Sequence, residues 1–180
     1  MTVAVAEQPG TATRTDVGQQ LAGKYLTFRL ADEEYGLEIL KVQEIIQMQA
    51  VTKVPRTPDY MRGVINLRGK VIPVVDLRKK FNMESAKDTD KTCIIVVQVT
   101  TGNSKVVMGT IIDEVKEVLD IKSDNIEETP SFGASINTDF ILGIGKVGTT
   151  VKMLLDIEKV LSMAEIASLT KVAQSSAQPQ

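Results

Sequence analysis

The sequence predicts a mostly β protein of two small barrel-like lobes, built on an internally duplicated plan. Three observations predict it. Short stretches with strand periodicity, separated by turn residues, fill the middle of the 180-residue chain. Helical signals are few and short. One order of segments recurs along the chain at a nearly constant offset.

The first strand signal is Leu26-Thr27-Phe28-Arg29-Leu30, where apolar and polar residues alternate as in a half-buried strand. Ala31-Asp32-Glu33 turns it, and Glu34-Tyr35-Gly36-Leu37-Glu38-Ile39 returns. Val64–Leu67 and Val71–Val75 flank Arg68-Gly69-Lys70, a hairpin connection. Pro73 within the second of these predicts an edge or a bulge, because proline has no N–H for a ladder. Cys93-Ile94-Ile95-Val96-Val97 is apolar without alternation, the pattern of a strand buried on both faces. Thr101-Gly102-Asn103-Ser104 turns it into Lys105–Ile112. Three short helices are predicted: Val42–Gln47, Leu77–Phe81 after an Asp76 N-cap, and Ile157–Leu169 after an Asp156 N-cap. Residues 1–22 and Val172–Gln180 read as disordered tails, poor in apolar periodicity.

The duplication is read by placing Asp59-Tyr60-Met61-Arg62-Gly63-Val64 over Asp139-Phe140-Ile141-Leu142-Gly143-Ile144, an offset of 80. The match continues to Val74-Val75-Asp76-Leu77 over Leu154-Leu155-Asp156-Ile157. A second register, at an offset of 73, places Val42-Gln43-Glu44-Ile45-Ile46 over Val115-Lys116-Glu117-Val118-Leu119. These registers divide the chain into units of about 24–90 and 91–162 within a domain at 23–162. The helix end and a disordered tail then occupy 163–180. A unit of this size is marginal alone, so the two units are expected to share a packed interface, with strands free to be exchanged between lobes.

Composition excludes several functions. A net charge of −2 with few aromatics gives no electrostatic or stacking reason to expect nucleic acid or an anionic membrane. With no histidine and one cysteine, Cys93, neither a zinc site nor a histidine-based catalytic dyad is expected. The lone cysteine, the absence of a secretory signal and the shortness of the apolar runs predict a cytoplasmic protein. No catalytic residue, metal ligand or cofactor is assigned. Asp32, Glu33 and Glu34 read as solvated charge on a turn, and Ser104, Ser131 and Ser135 lack a base. Gly143-Ile144-Gly145-Lys146 with Gly148 lacks the spacing of a phosphate loop and reads as a β-turn.

Two stretches suggest recognition of another protein. Gly36–Ile45 mixes charged and apolar residues, offering Val42 beside Glu44. Arg62–Arg78 is a very apolar hairpin topped by Asn66 and Arg68. Turn chemistry alone accounts for Asn66, Arg68 and Gly69, but an edge hairpin carrying an exposed Arg is also a docking surface.

These stretches carry a family resemblance. Tyr25-Leu26-Thr27-Phe28, Glu33–Leu37, Ile39–Ile45, Arg62-Gly63-Val64-Ile65-Asn66-Leu67-Arg68-Gly69 and Val71–Arg78 resemble the bacterial chemotaxis coupling protein family, CheW. Val115–Val118 and Leu154–Leu161 fit as well, so the resemblance covers nearly all of the folded body. It implies two SH3-like five-stranded barrels around a shared core, with short helices and a C-terminal helix. It further implies a non-enzymatic adaptor joining the cytoplasmic tips of methyl-accepting chemoreceptors to the regulatory domain of the histidine kinase CheA. Contact with the membrane would be indirect, through receptor arrays. By the same resemblance Val42, Glu44, Gly63 and Arg68 are the expected partner contacts, with Asn66 and Leu67 as neighbours on the hairpin. The related reading, an adaptor half cut from a protein that also carries a receiver domain, is disfavoured because the chain ends too early. A regulatory domain cut from the kinase is disfavoured by a tail that begins at Met1. A small-ligand or nucleic-acid-binding barrel and an enzyme are the readings from other classes.

Overall fold

The structure, a computed structural model, describes residues 13–130 and 138–177. Its strands are β1 (Gly23–Leu30), β2 (Glu33–Glu38), β3 (Val42–Gln47), β4 (Met61–Leu67), β5 (Lys70–Asp76), β6 (Cys93–Thr101), β7 (Ser104–Ile112), β8 (Glu114–Ile121), β9 (Ile126–Glu127), β10 (Ile141–Val147) and β11 (Thr150–Leu155). The helices are α1 (Thr13–Leu21), α2 (Leu77–Lys80), α3 (Ile157–Val160) and α4 (Met163–Ala177). One sheet runs β8-β1-β2-β11-β10-β9 and the other β3-β6-β7-β5-β4.

The duplication is visible in both orders. By the offsets of 80 and 73, β4, β5 and β3 correspond to β10, β11 and β8, and the leading hairpin β1–β2 corresponds to β6–β7. Substituting each strand by its counterpart turns β3-β6-β7-β5-β4 into β8-β1-β2-β11-β10. Each sheet therefore takes its central hairpin from one unit and its flanking strands from the other. The parallel pairs β5–β7 and β11–β2 are the seams of this exchange. Even the irregularities repeat, since the register slips between Met61 and Gly63 and again between Ile141 and Gly143.

The packing explains the strand patterns. A central core holds Leu26, Phe28 and Leu37 from one sheet against Ile95, Val97 and Val75 from the other. A second core, of Ile65, Ile72, Val74, Ile94, Val96 and Ile111, lies behind the five-stranded sheet. A smaller third core of Tyr25, Ile121, Ile126 and Leu154 lies behind the six-stranded one. Strand β6 separates two cores, with Ile94 and Val96 facing one and Ile95 and Val97 the other. That is why its sequence shows no alternation. Burial of each such side chain contributes about 1.5–3 kcal/mol. Phe28, Tyr35, Phe81 and Phe140 form one stacked column, with centroids 5.9, 6.1 and 5.1 Å apart, that joins the two units.

Several expectations are corrected. Val42–Gln47 is strand β3, not helix, because its backbone pairs with Cys93–Val97 at the sheet edge. Thr27 is fully buried. Its hydroxyl donates to the Glu117 carbonyl at 2.7 Å and accepts from the Glu117 N–H at 3.1 Å, bridging a bulge. Residues 13–21 of the predicted tail form α1, seated against the 3-10 turn Ser123–Asn125 and β9. A Cβ on Gly18 would lie 2.4 Å from the Ser123 carbonyl oxygen, so the approach requires glycine. At the other end, α3 stops at Val160 and α4 runs on through Ala177 into the second predicted tail, burying Ile166, Leu169 and Ala173. The remaining tail residues, and Ser131 and Ser135, lie outside the described residues. Gly143–Lys146 lies within β10, and the turn follows at Gly148. The edge or bulge expected at Pro73 is not found there, because β5 is an inner strand and Pro73 pairs in register with Val64. The bulge lies one pair away between Met61 and Gly63, and the ladder with β7 begins at Val74, one residue after the proline.

Other expectations hold. Asp76 caps α2, accepting from the N–H groups of Arg78 and Lys79, and Asp156 caps α3. The expected mostly β fold is present as two sheets, one of six and one of five strands, each with its own rear core, together with short helices and a C-terminal helix, an arrangement consistent with SH3-like lobes.

Candidate functional site

The β4–β5 hairpin closes with Leu67 paired to Lys70, leaving Arg68 and Gly69 as a two-residue turn. Both have positive φ, 51° and 87°, as a type I′ turn requires. Asn66 supports it by accepting the Gly69 N–H at 2.8 Å through its side-chain oxygen. Arg68 is a non-glycine residue in the left-handed region, a conformation that a bulky side chain adopts only at a cost. An ion pair holds it there. Its Nη1 and Nη2 donate to Glu44 Oε1 and Oε2 at 2.7 and 2.6 Å, a two-pronged fork.

Glu44 belongs to β3, one outer strand of the five-stranded sheet, and Arg68 tips the hairpin whose first strand, β4, is the other. The pair thus bridges the two edges of the sheet. Hydrogen bonding to Arg68 holds the Glu44 carboxyl below its ordinary value, and the same bond raises Arg68. The Arg68 side chain is 74 % exposed and that of Glu44 24 %, so one face of the guanidinium remains open to a partner.

The six expected contacts therefore divide. Glu44 and Arg68 meet at the surface. Asn66 shapes the turn. Val42, the first residue of β3, packs half-buried against the central core, and Leu67 packs half-buried against the rear core. Gly63 is buried in β4 at φ 149°, where a Cβ would lie 2.1 Å from the Thr52 carbonyl oxygen. Its position is dictated by backbone packing.

Two exposed apolar residues that the sequence did not single out lie on the segment that carries Glu44. Leu40, in the 3-10 turn Ile39–Lys41, is 93 % exposed, and Ile45 on β3 is 43 % exposed. Each stands beside one charged residue, Lys41 or Glu44, on the segment leading along the edge strand, and an apolar residue on an outward position of an edge is the signal that marks it. Lys41 anchors the segment, donating to Glu158 at 3.0 Å, while Glu158 also accepts the Thr100 N–H at 3.1 Å. The Lys41 bond holds Glu158 below the ordinary carboxylate range.

A second charge cluster sits where the chain crosses between sheets. Arg78 Nε donates to both oxygens of Asp113 at 2.8 and 3.0 Å, and Asp113 accepts the Ala31 N–H at 2.7 Å. Asp113 is the single residue between β7 and β8, so this network fixes the crossing. Of the acidic turn, Glu34 is not solvated charge, because it pairs with Lys152, buried on β11.

The fork and its hairpin are built from Ile39–Ile45 and Arg62–Gly69, two of the segments on which the family resemblance rested. The CheW-like domain family matches residues 24–165. The chain belongs to that family. It is 38 % identical over 158 residues to the chemotaxis protein CheW of Klebsiella aerogenes, covering 88 % of this chain and 93 % of that one. Identity to the chemotaxis protein CheW of Treponema pallidum is 32 % over 149 residues, covering 82 % and 86 %. The crystal structure of the scaffolding protein CheW from Thermoanaerobacter tengcongensis superposes with a TM-score of 0.68 at 36 % identity, over 78 % of this chain and 92 % of that one. The chain is thus a chemotaxis scaffold of the CheW-like family, a family of adaptors rather than catalysts. Among the described residues, no helix is long and apolar enough to cross a membrane.

Proposed function

We propose that this chain couples methyl-accepting chemoreceptors to the histidine kinase CheA, working in the cytoplasm at the receptor arrays. The observation that carries the reading is the exposed Arg68 guanidinium forked to Glu44, with Leu40 and Ile45 exposed along the same edge segment as Glu44. An exposed guanidinium together with bare apolar side chains along an edge strand is the composition of a protein-recognition surface, where Arg and apolar anchors dominate binding energy. Family membership supplies the process, chemotaxis, and the kind of work, scaffolding. Coupling then proceeds by population shift. The adaptor holds both partners, and receptor state biases which kinase arrangement it favours.

Arg68→Glu tests the reading. The substitution sets two carboxylates where the fork stood, at a surface position that leaves the cores intact. Circular dichroism should show the wild-type fold, while receptor-dependent activation of the kinase in a reconstituted mixture should fall by at least about tenfold. Full activation by a folded Arg68→Glu protein would sink the assignment of this face. In the wild type, the depressed Glu44 carboxyl contributes stability that is present above its ordinary value of 4.5 and lost as pH falls through the lower folded value. The fork should therefore survive mild acidification, and NMR titration of Glu44 should move to higher pH in the variant.

A further inference from the structure

The loop between β3 and β4 forms a groove that neither the duplication nor the Glu44–Arg68 face accounts for. Lys53, Arg56 and Lys79 line it. All three are exposed, and their side chains make no ion pair among the described residues. Arg62 also lines the groove but is already neutralised by Asp76 and Asp88, each at 3.0 Å. One carboxylate, Asp59, sits on the rim. On a protein whose net charge is −2, three uncompensated cations converge on one concavity. The same lining includes the apolar residues Val54, Pro55, Pro58 and Met61.

Two further features show a built loop. Arg56 has φ 62°, a left-handed conformation that is costly for a long side chain and persists where surrounding structure enforces it. The enforcement is local: Pro55 and Pro58 restrict the backbone, Thr57 Oγ1 donates to the Val54 carbonyl at 2.8 Å, and the Met61 N–H donates to the Pro58 carbonyl at 3.0 Å. The same prolines remove two N–H donors, so the loop offers no nest of backbone amides for a compact phosphate. What it offers is separated point charges interleaved with the exposed rings of Pro55 and Pro58.

We propose that this groove docks an acidic segment of a partner protein, one whose carboxylates alternate with apolar side chains. Carboxylates pair with Lys53, Arg56 and Lys79, and the apolar groups rest on the exposed rings of Pro55 and Pro58. The surface is separate from the Glu44–Arg68 face, so it provides a second attachment point for a scaffold.

The experiment uses the full chain and a fluorescein-labelled peptide of alternating Glu and Leu, read by anisotropy. Saturable binding is expected, weakening at least about tenfold as salt rises from about 50 to 300 mM. The triple variant K53E/R56E/K79E should lose binding by roughly tenfold or more, while the equally charged control K24E/K105E/K171E retains it. Arg56→Gly separates recognition from packing, because it relieves the left-handed strain. Its melting temperature should equal or exceed wild type while its affinity falls. Absence of peptide binding, binding indifferent to the triple reversal, or displacement by millimolar inorganic phosphate at constant ionic strength would each overturn the proposal.

Discussion

Gly63→Ala is the perturbation that best separates backbone architecture from partner contact. The added Cβ would stand 2.1 Å from the Thr52 carbonyl oxygen, 2.7 Å from its carbon and 2.9 Å from Val51 Cγ1. The first two are backbone atoms, and Thr52 cannot retreat freely. It is held to Val64 by two hydrogen bonds of 2.9 Å, one in each direction. Relief of the clash therefore breaks that bridge or shifts β4 at its bulge. Overpacking costs about 1–3 kcal/mol. Holding a non-glycine residue at a φ of 149° adds about 1 kcal/mol. Since relaxation trades one cost against the other, the net loss is about 3 kcal/mol, a large fraction of an ordinary domain's stability. For a chain of this length that corresponds to a fall in melting temperature of about 6–12 °C. The counterpart Gly143→Ala meets Glu127 O at 2.9 Å and the movable Leu21 side chain at 3.2 Å, so it should cost only about 1 kcal/mol. Differential scanning calorimetry of both variants gives the ordering directly. If Gly63→Ala melts within about 2 °C of wild type, the packing argument fails and Gly63 must be valued as a contact residue.

Further outcomes follow from the packing elsewhere. Burial lowers the pKa of Lys152, so its contribution runs opposite to that of a surface lysine: the unfolded chain binds the proton more tightly, and stability rises with pH up to the ordinary value of 10.5. Lys152→Met removes that slope and should leave stability at pH 7 unchanged or raised by about 1 kcal/mol, since a one-third exposed Glu34 keeps its access to water; urea titrations at several pH values check it. Phe81→Ala interrupts the column between Tyr35 and Phe140 and should cost about 2–3 kcal/mol, less than for a fully buried ring. Chemical denaturation measures that loss. Ser162→Ala removes the side-chain cap of α4, whose Oγ accepts the Glu165 N–H at 3.1 Å, and should cost about 1 kcal/mol. Amide exchange should then accelerate first in α4.

What the sequence made legible, and what it hid, follows from the range of the forces involved. Turn and cap chemistry is local, so the Arg68-Gly69 turn and the Asp76 and Asp156 caps were readable. Ser162 and Glu165 form a reciprocal capping box of the same kind, with the Ser162 N–H donating to Glu165 at 2.7 Å. That signal separates α3 from α4 and was present in the sequence, but the apolar spacing from Ile157 to Leu169 masked it. Strand β3 was misread because Val42-Gln43-Glu44-Ile45-Ile46-Gln47 alternates in burial but not in polarity: Glu44 is inward and paired, Ile45 outward and bare. A polarity pattern cannot reveal a strand whose inward carboxylate is satisfied by an Arg that lies 24 residues away. The helix α1 escaped notice for a related reason. It is seated by a close approach at Gly18, and glycine in a polar segment ordinarily argues against a helix.

The strand exchange gives the Glu44–Arg68 fork its physical meaning. Both residues lie in the first unit, yet β3 is laddered to β6 and the β4–β5 hairpin to β7, and these two strands belong to the second unit. The hairpin β6–β7 is therefore the template that sets the distance between Glu44 and Arg68. Its inner residues are committed twice, facing the central core with Ile95 and Val97 and the rear core with Ile94 and Val96. A close-packed strand of that kind resists sideways displacement, since movement toward one core opens a void in the other. The exposed face is consequently held by a buried element that carries none of its residues. A unit cut at residue 90 would retain every side chain of the fork and lose the support that brings them together.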